Sequence, residues 1–332
     1  MYKNFFGLKE NPFNVNPDPR FLYLTPHIQE ALACLTYGIQ TRKGFILLTG
    51  EVGTGKTTIL NKLLDWLHQE NVTTAFVFNP RLSVTQFFDF MMTDFGISCD
   101  ARIKSQMLIT LNHWLLERYR AGERAVLIVD EAQNLSPEML EEIRLLTNLD
   151  TATEKLLQIV LCGQPELHQR LAQPDLRQLR QRITLRAKTR PLTIEETRGY
   201  IADRLRTAGG NSEEIFSPEA IDALHRHACG IPRITNLLAE HALINAFVEQ
   251  KKPISPEVIN AVALETEFCE PVPASPVPEA LQPPAAATAS NGHNGARDAL
   301  VDGLLQALQL LVEKNNRGEV QDSSQPRIDS VE

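Results

Sequence analysis

Two kinds of apolar pattern take turns along the first two thirds of the chain. Short apolar runs occur at Gly44-Phe45-Ile46-Leu47-Leu48-Thr49, Thr74-Ala75-Phe76-Val77-Phe78, Ala125-Val126-Leu127-Ile128-Val129 and Leu156-Leu157-Gln158-Ile159-Val160-Leu161-Cys162. Each has the length and bounding residues of a strand. The run from Ala125 to Val129 has no polar alternation, as expected of a strand buried on both faces of a parallel sheet. Between these runs the apolar residues recur at helical spacing. Ile28, Ala31, Leu32, Leu35 and Ile39 share one face, and Ile59 to Leu67 repeats the pattern. A longer helix is predicted over 105–121, stopped at Gly122.

Helix start signals agree with this reading. Thr25-Pro26 supplies an N-cap and a proline at the first helical position. Ser83-x-x-Gln86 and Thr193-x-x-Glu196 are capping boxes. Ser136-Pro137-Glu138, Ser217-Pro218, Gly230-Ile231-Pro232-Arg233 and Ser255-Pro256 open further helices. From Thr193 onward the pattern is helical only. Trp66 and Trp114 fall on apolar helix faces and read as core.

The flanks differ in kind. Residues 1–24 are rich in aromatics and prolines (Phe5, Phe6, Pro12, Phe13, Pro17, Pro19, Phe21, Tyr23). That is too apolar for a free tail and predicts an extended arm lying on the next domain. The arm either packs there or covers a bound base. Residues 270–296 are rich in Pro and Ala and predict an unfolded linker. Leu300, Val301, Leu304, Leu305, Leu308, Leu311 and Val312 then form an apolar stripe over 297–314, an amphipathic helix suited to a protein partner through 298–313. The polar stretch 315–332 reads as a disordered tail.

Composition narrows the class. The 332 residues are 43% hydrophobic, enough for a sizeable core, with 33 basic and 41 acidic residues for a net charge of −8. That balance argues against a generally basic nucleic-acid binder. A local exception lies within 176–194, where Arg177, Arg180, Arg182, Arg186, Lys188 and Arg190 occur without an acid. This segment reads as a solvated face, as arginines reaching a neighbouring subunit's nucleotide, or as a nucleic-acid contact. Five cysteines with no C-x-x-C pair suit a reduced compartment, most of them buried. The N-terminal residues lack a signal-peptide core, and no apolar run approaches the roughly 18 residues of a membrane span. The expectation is a soluble cytoplasmic protein.

The chemistry concentrates at strand ends. Gly50-Glu51-Val52-Gly53-Thr54-Gly55-Lys56-Thr57-Thr58 matches G-x-x-x-x-G-K-[ST] in full, between a predicted strand and a predicted helix. Backbone N–H groups of such a loop, with the helix dipole, bind phosphate. Lys56 would reach the β- and γ-phosphates, and the Thr57 hydroxyl would ligate Mg²⁺. Asp130 and Glu131 end the third strand, where open α/β sheets bind ligands. Asp130 is placed to hold the metal and Glu131 to polarise an attacking water. Gln164 follows the fourth strand, where it is either a plain loop residue or a partner of the γ-phosphate or water. Arg233 lies in the first turn of a helix, where a cation opposes the dipole and suggests an anionic partner.

The order of these parts resembles an AAA+ ATPase, and more closely the ExeA-type or general secretion pathway protein A family. The resemblance is carried by Phe5-Phe6-Gly7-Leu8, Pro17-Asp18-Pro19-Arg20-Phe21-Leu22-Tyr23, the phosphate loop, Asp130-Glu131-Ala132-Gln133-Asn134-Leu135-Ser136-Pro137-Glu138, Gly163-Gln164-Pro165-Glu166-Leu167, Leu176-Arg177-Gln178-Leu179-Arg180-Gln181-Arg182-Ile183 and Gly230-Ile231-Pro232-Arg233. It implies an α/β P-loop fold with a parallel sheet of order 5-1-4-3-2 over 25–190 and a helical lid over 191–269. It implies Lys56 and Thr57 as the Walker A pair and Asp130 and Glu131 as the Walker B pair. Gln164 would be the fourth-strand sensor and Arg233 the lid sensor. Arg177, Arg180 or Arg182 would be an arginine finger, Arg180 or Arg182 foremost.

The implied activity is Mg²⁺-dependent ATP hydrolysis in a homo-oligomer, a ring or ATP-dependent dimer. It would drive a cell-envelope export or secretion system, peripheral to the inner membrane through partners. Secretion members of that family continue through a membrane span into a periplasmic peptidoglycan-binding domain, where this sequence has its Pro/Ala stretch and apolar stripe. Shorter relatives accompany polysaccharide-export and exosortase gene clusters. Transposition ATPases of the TniB kind are similar in the same core, so a DNA-binding ATPase is one alternative. A non-hydrolysing nucleotide switch or scaffold is another.

Overall fold

The computed structural model describes residues 2–78, 82–98 and 103–266. The linker, amphipathic helix and tail expected beyond residue 269 lie outside the described residues, as do Cys99 and Cys269. In chain order the elements are α1 (Tyr2–Phe6), α2 (Pro26–Gln40), β1 (Phe45–Thr49), α3 (Lys56–Gln69), β2 (Thr73–Val77), α4 (Val84–Asp94), α5 (Lys104–Arg120) and β3 (Ala125–Val129). They continue with α6 (Pro137–Leu146), β4 (Leu157–Gly163), α7 (Pro165–Leu171), α8 (Arg177–Arg182) and β5 (Leu185–Lys188). Helices α9 (Ile194–Thr207), α10 (Ser212–Ile215), α11 (Pro218–Ala228), α12 (Pro232–Val248) and α13 (Pro256–Glu265) complete the described fold.

The strands form one parallel sheet in the order β2-β3-β4-β1-β5, which is the expected 5-1-4-3-2 read from the other edge. Every residue of β1, β3 and β4 is buried, while β2 and β5 alternate with exposed or half-buried positions. Central strands covered on both faces need apolar side chains at every position; edge strands do not. The sheet's period of two divides its side chains between two layers. Phe45, Leu47, Ala75, Val77, Leu127, Val129, Ile159 and Leu161 join Phe87, Phe88, Met91, Leu111, Leu140 and Ile143 of α4, α5 and α6 in one core. On the opposite face α2 approaches β1 and β5 closely at Gly38, whose missing Cβ would meet Ile46 Cδ1 at 2.5 Å.

The parallel register brings Thr49, Val129, Gly163 and Lys188 to one edge of the sheet. The loops that follow them carry the chemistry. β5 is the strand that the sequence pattern hides. Its four residues read Leu-Arg-Ala-Lys, and Arg186 and Lys188 are exposed while Ala187 is buried. The segment therefore looks like a charged surface when read for apolar runs, although it pairs with Ile46 to Thr49.

A second core belongs to the C-terminal helices. Tyr200, Ile201 and Leu205 of α9 pack with Ala223 and Leu224 of α11, Leu238, Ala242 and Leu243 of α12, and Ile259 and Val262 of α13. Capping holds these helices where the sequence placed them. Thr193 and Glu196 form the capping box of α9, and Ser217 caps α11 through the Ala220 amide. The N-terminal segment is not uniformly extended: it starts with the short helix α1, and Tyr2, Phe6, Leu8 and Phe13 enter this second core. Trp66 is buried and Trp114 packs on the first core, as expected. Among the described cysteines Cys162 is buried, Cys34 half-buried and Cys229 exposed, all as free thiols, so burial is not the common rule expected of them. No helix among the described residues is long and apolar enough to cross a membrane.

Candidate functional site

The loop from Gly50 to Gly55 leaves β1 and feeds α3, whose first residue is Lys56. Gly53 and Gly55 adopt φ of 80° and 94°, the left-handed region in which a side chain is strained. Lys56 is buried to 6% exposure, and its Nζ donates to the carbonyls of Gly50 at 2.8 Å and Glu51 at 2.9 Å. The ammonium thus curls over its own loop, where those carbonyls satisfy it.

One further strand, β3, brings two acids to this loop. Thr57 Oγ1 lies 3.2 Å from Asp130 Oδ2, and the Glu131 amide donates to Asp130 Oδ1 at 2.8 Å. Asp130 is buried to 5% exposure. A hydroxyl beside a carboxylate is a hard-oxygen pair of the kind that holds Mg²⁺ with phosphate oxygens and water completing its shell. The donor set therefore fits Mg²⁺. Among the described residues no cluster of three or more His, Cys, Asp or Glu offers an all-protein metal cage. Behind the pair, burial and the Asp130 carboxylate push the Cys162 thiol well up, so it stays protonated.

Glu131 turns out of the strand at φ 52°, a left-handed conformation uncommon for a residue with a side chain. Its Oε2 accepts from Gln164 Nε2 at 3.2 Å and from the Gln133 side-chain amide. The Gln164 amide N–H donates to Gln133 Oε1 at 3.1 Å. Gln164 therefore stands beside Glu131. Gln133 escaped the sequence reading. Only its i+2 spacing from Glu131, within Asp130-Glu131-Ala132-Gln133, would have pointed to it.

The C-terminal helices close the other side. The Arg233 amide donates to Gly53 O at 3.2 Å, and a Cβ on Gly53 would meet Arg233 Cβ at 2.8 Å and Ile231 Cγ2 at 3.0 Å. The first turn of α12 is thus fitted against the phosphate loop, with the Arg233 side chain exposed at the cavity wall. The cavity has a volume of about 380 Å³ and reaches from Lys56, Thr57, Glu131 and Gln164 past Arg233 to Tyr23 and Tyr200.

At its far end, Arg204 is buried and donates to the Tyr200 hydroxyl at 2.9 Å and to Pro12 O at 2.9 Å. Its guanidinium lies over Phe21 and Tyr200, and Tyr200 in turn donates to Asn236 Oδ1 at 2.8 Å. The N-terminal arm packs, as one of its two expected alternatives has it. It packs on the C-terminal helices through Phe6 and Phe13, and Asn14 to Asp18 line the cavity.

The candidate arginines separate by environment. Arg177 and Arg180 are exposed on α8, whereas Arg182 donates to Thr147 Oγ1 at 2.8 Å. Burial, with Arg186, Lys188 and Arg180 nearby, holds His168 below the usual histidine range. Arg180, Arg186, Lys188 and His168 therefore share one basic face. Arg190 is tied to Glu196 by paired bonds of 2.9 and 3.0 Å.

Comparison with known proteins bears on the fold. An AAA domain family matches residues 39–171. General secretion pathway protein A of Aeromonas hydrophila is 46% identical over 266 residues, which are 80% of this chain and 48% of that protein. The chain thus spans about half the length of the curated relative it matches. Among solved structures, the ORC2 protein of Aeropyrum pernix in its ADPNP–ADP complexes aligns with a TM-score of 0.56 at 14% identity, covering 77% of this chain and 72% of that one. Cdc6p of Pyrobaculum aerophilum aligns with a TM-score of 0.56 at 20% identity, covering 74% and 70%. At such identities the structural likeness establishes the fold.

Proposed function

We propose, for a chain that carries an AAA domain on a P-loop fold, that it binds ATP with Mg²⁺ and hydrolyses it to ADP and phosphate. The observation that carries this reading is the convergence of Lys56, Thr57 and Glu131 on one cavity, with Asp130 bonded behind Thr57. Lys56 Nζ would leave the Gly50 and Glu51 carbonyls for the β- and γ-phosphates. Backbone N–H groups of 50–58 would cradle the same oxygens. Thr57 and Asp130 would hold Mg²⁺, which supplies charge neutralisation at the β- and γ-oxygens. Glu131 would orient a water in line with the γ-phosphorus and accept its proton. The water oxygen bonds to phosphorus as the bond to the bridging oxygen of ADP breaks. Gln164 and Arg233 would stabilise the charge on the transferred group.

Arg180 on a neighbouring subunit would complete the site, which makes a ring or ATP-dependent dimer the working form. Similarity to general secretion pathway protein A supports a cytoplasmic role in assembling or driving a cell-envelope export or secretion system. The division into an arm (1–24), an α/β domain (25–190) and a lid (191–269) would let nucleotide state move the lid through Arg233.

The test is a pair of variants. Lys56→Ala is expected to lose binding of a fluorescent ATP analogue. Glu131→Gln is expected to keep that binding and turn over at least roughly a hundredfold more slowly. Normal turnover by folded Glu131→Gln protein removes Glu131 from the reaction. Negligible hydrolysis by the unaltered protein at every concentration leaves a nucleotide switch instead. A second reading, DNA binding coupled to the ATPase, draws on the basic face of Arg180, Arg186, Lys188 and His168. It predicts a salt-dependent DNA affinity lost when Arg186 and Lys188 are neutralised.

A further inference from the structure

Resting on the reading of Glu131 above, we propose that Gln133 is the positioning residue for that carboxylate: its side chain clamps Glu131 and Gln164 into one fixed arrangement. The clamp is two-sided. The Gln133 side-chain amide donates to Glu131 Oε2, while its carbonyl oxygen, Oε1, accepts from the Gln164 N–H at 3.1 Å. One amide thereby fixes the acid after β3 and the residue after β4, on adjacent strands of the sheet. Gln164 Nε2 donates to the same Oε2 at 3.2 Å, so one carboxylate oxygen carries both protein donors. In the proposed reaction the other oxygen, Oε1, would take the proton of the attacking water.

A clamp of this kind has a physical task here. Glu131 sits at φ 52° with no helix or strand of its own to hold it. A carboxylate on such a turn would sample several rotamers, and misplacing a catalytic group by about 1 Å can cost on the order of a hundredfold in rate.

The surrounding chain is shaped around Gln133. Gly163 has no side chain where Gln133 passes: a Cβ there would lie 2.9 Å from Gln133 Oε1 and 3.3 Å from its backbone nitrogen. The backbone of Gln133 is held in turn, since Arg170 of α7 donates to the carbonyls of Gln133 and Leu135. That arginine stands two residues from His168 of the basic face, so a partner bound to that face would lie one helix from the clamp.

The test replaces Gln133 with Met, which keeps length and apolar bulk but neither donates nor accepts at that position. Gln133→Met is expected to lower kcat between roughly ten- and a hundredfold while KM for ATP and affinity for a fluorescent ATP analogue stay within about twofold. Placed in Glu131→Gln protein and followed by single-turnover hydrolysis, it is expected to cost little more, because the two changes disable one function. Gln133→Asn, which keeps the amide but withdraws it by a methylene, covers the case in which the Met variant does not fold. It is expected to show the same fall in kcat without a change in KM. Unchanged kcat in a folded variant overturns the proposal, as does a full multiplicative loss in the double variant. If Glu131→Gln itself turns over normally, the underlying reading fails instead, and the two failures are distinguished.

Discussion

The hydroxyl oxygens of Thr54 and Thr189 lie 2.6 Å apart, joining the phosphate loop to the end of β5. Thr54 spends its proton on Glu51 O at 2.7 Å, so Thr189 is the donor between them. Both side chains are buried. The same threonine closes the space over Gly50, where a Cβ would lie 1.8 Å from Thr189 Oγ1. Gly50→Ala is therefore expected to push the loop off β5 and weaken ATP-analogue binding by at least roughly tenfold. Adding Thr189→Ala should recover part of that loss. Fluorescence titration of the single and double variants checks it, and strictly multiplicative effects would show the two positions to be independent.

The buried hydroxyl of Tyr200 links Arg204 to Asn236, and Arg204 links that pair to the arm at Pro12. Tyr200→Phe leaves a buried arginine donor and a buried amide oxygen without their partner. The expected cost is about 1–3 kcal/mol, measured as a shift in the denaturant midpoint. Limited proteolysis of the arm should quicken in the same variant, since Arg204 would lose part of the support that holds it under Phe21.

Legibility in the sequence follows burial. β1, β3 and β4 were visible because strands covered on both faces must be apolar throughout. The capping boxes at Ser83 and Thr193 formed as read, because such motifs are satisfied within four residues. β5 was not visible: an edge strand needs one apolar face, and Arg186 and Lys188 occupy the other. The phosphate loop and Asp130-Glu131 could be read because their chemistry is set by residue type at fixed spacing. Thr189, Tyr200 and Arg204 could not, because each bonds a partner far away in the chain, and neither could Gln133, whose second partner, Gln164, arrives after the next strand. Thr189, for example, meets Thr54 only after a parallel crossover, 135 positions away in sequence.

Acid should destabilise the fold before its carboxylates titrate. Burial holds His27, His168 and His225 below the ordinary value of 6.5, foremost in each case. A histidine with a depressed folded pKa contributes nothing above 6.5, where both states are neutral. As pH falls below 6.5 the unfolded chain takes up the proton and the folded chain resists, so stability declines. Glu196, held low by the Thr193 amide and Arg190 against its own burial, adds a second loss as pH falls below 4.5. Denaturant midpoints at pH 7.5 and 5.5 should therefore differ, and replacing His225, which bonds Thr197 at 2.8 Å, with Gln should narrow that difference. An equal midpoint at both values would count against the three histidines.

Arg180 and Arg182 should part company when each is removed. Arg182 donates to Thr147 Oγ1, whose own proton goes to Arg144 O, so its loss frees the end of α6 from α8. Arg182→Ala is expected to lower stability by about 1 kcal/mol. Arg180 is exposed on the adjoining turn. Arg180→Ala should leave stability and ATP-analogue binding unchanged and cut turnover of the assembled protein by up to roughly a thousandfold. The decisive measurement mixes two inactive proteins. Arg180→Ala subunits keep Glu131 but lack the arginine, and Glu131→Gln subunits keep the arginine but lack the acid. Where they meet, the Glu131 of one and the Arg180 of the other form a complete site, so ATPase activity should reappear on mixing. If the mixture stays as inactive as its components although both enter the same oligomer, Arg180 does not act across the interface.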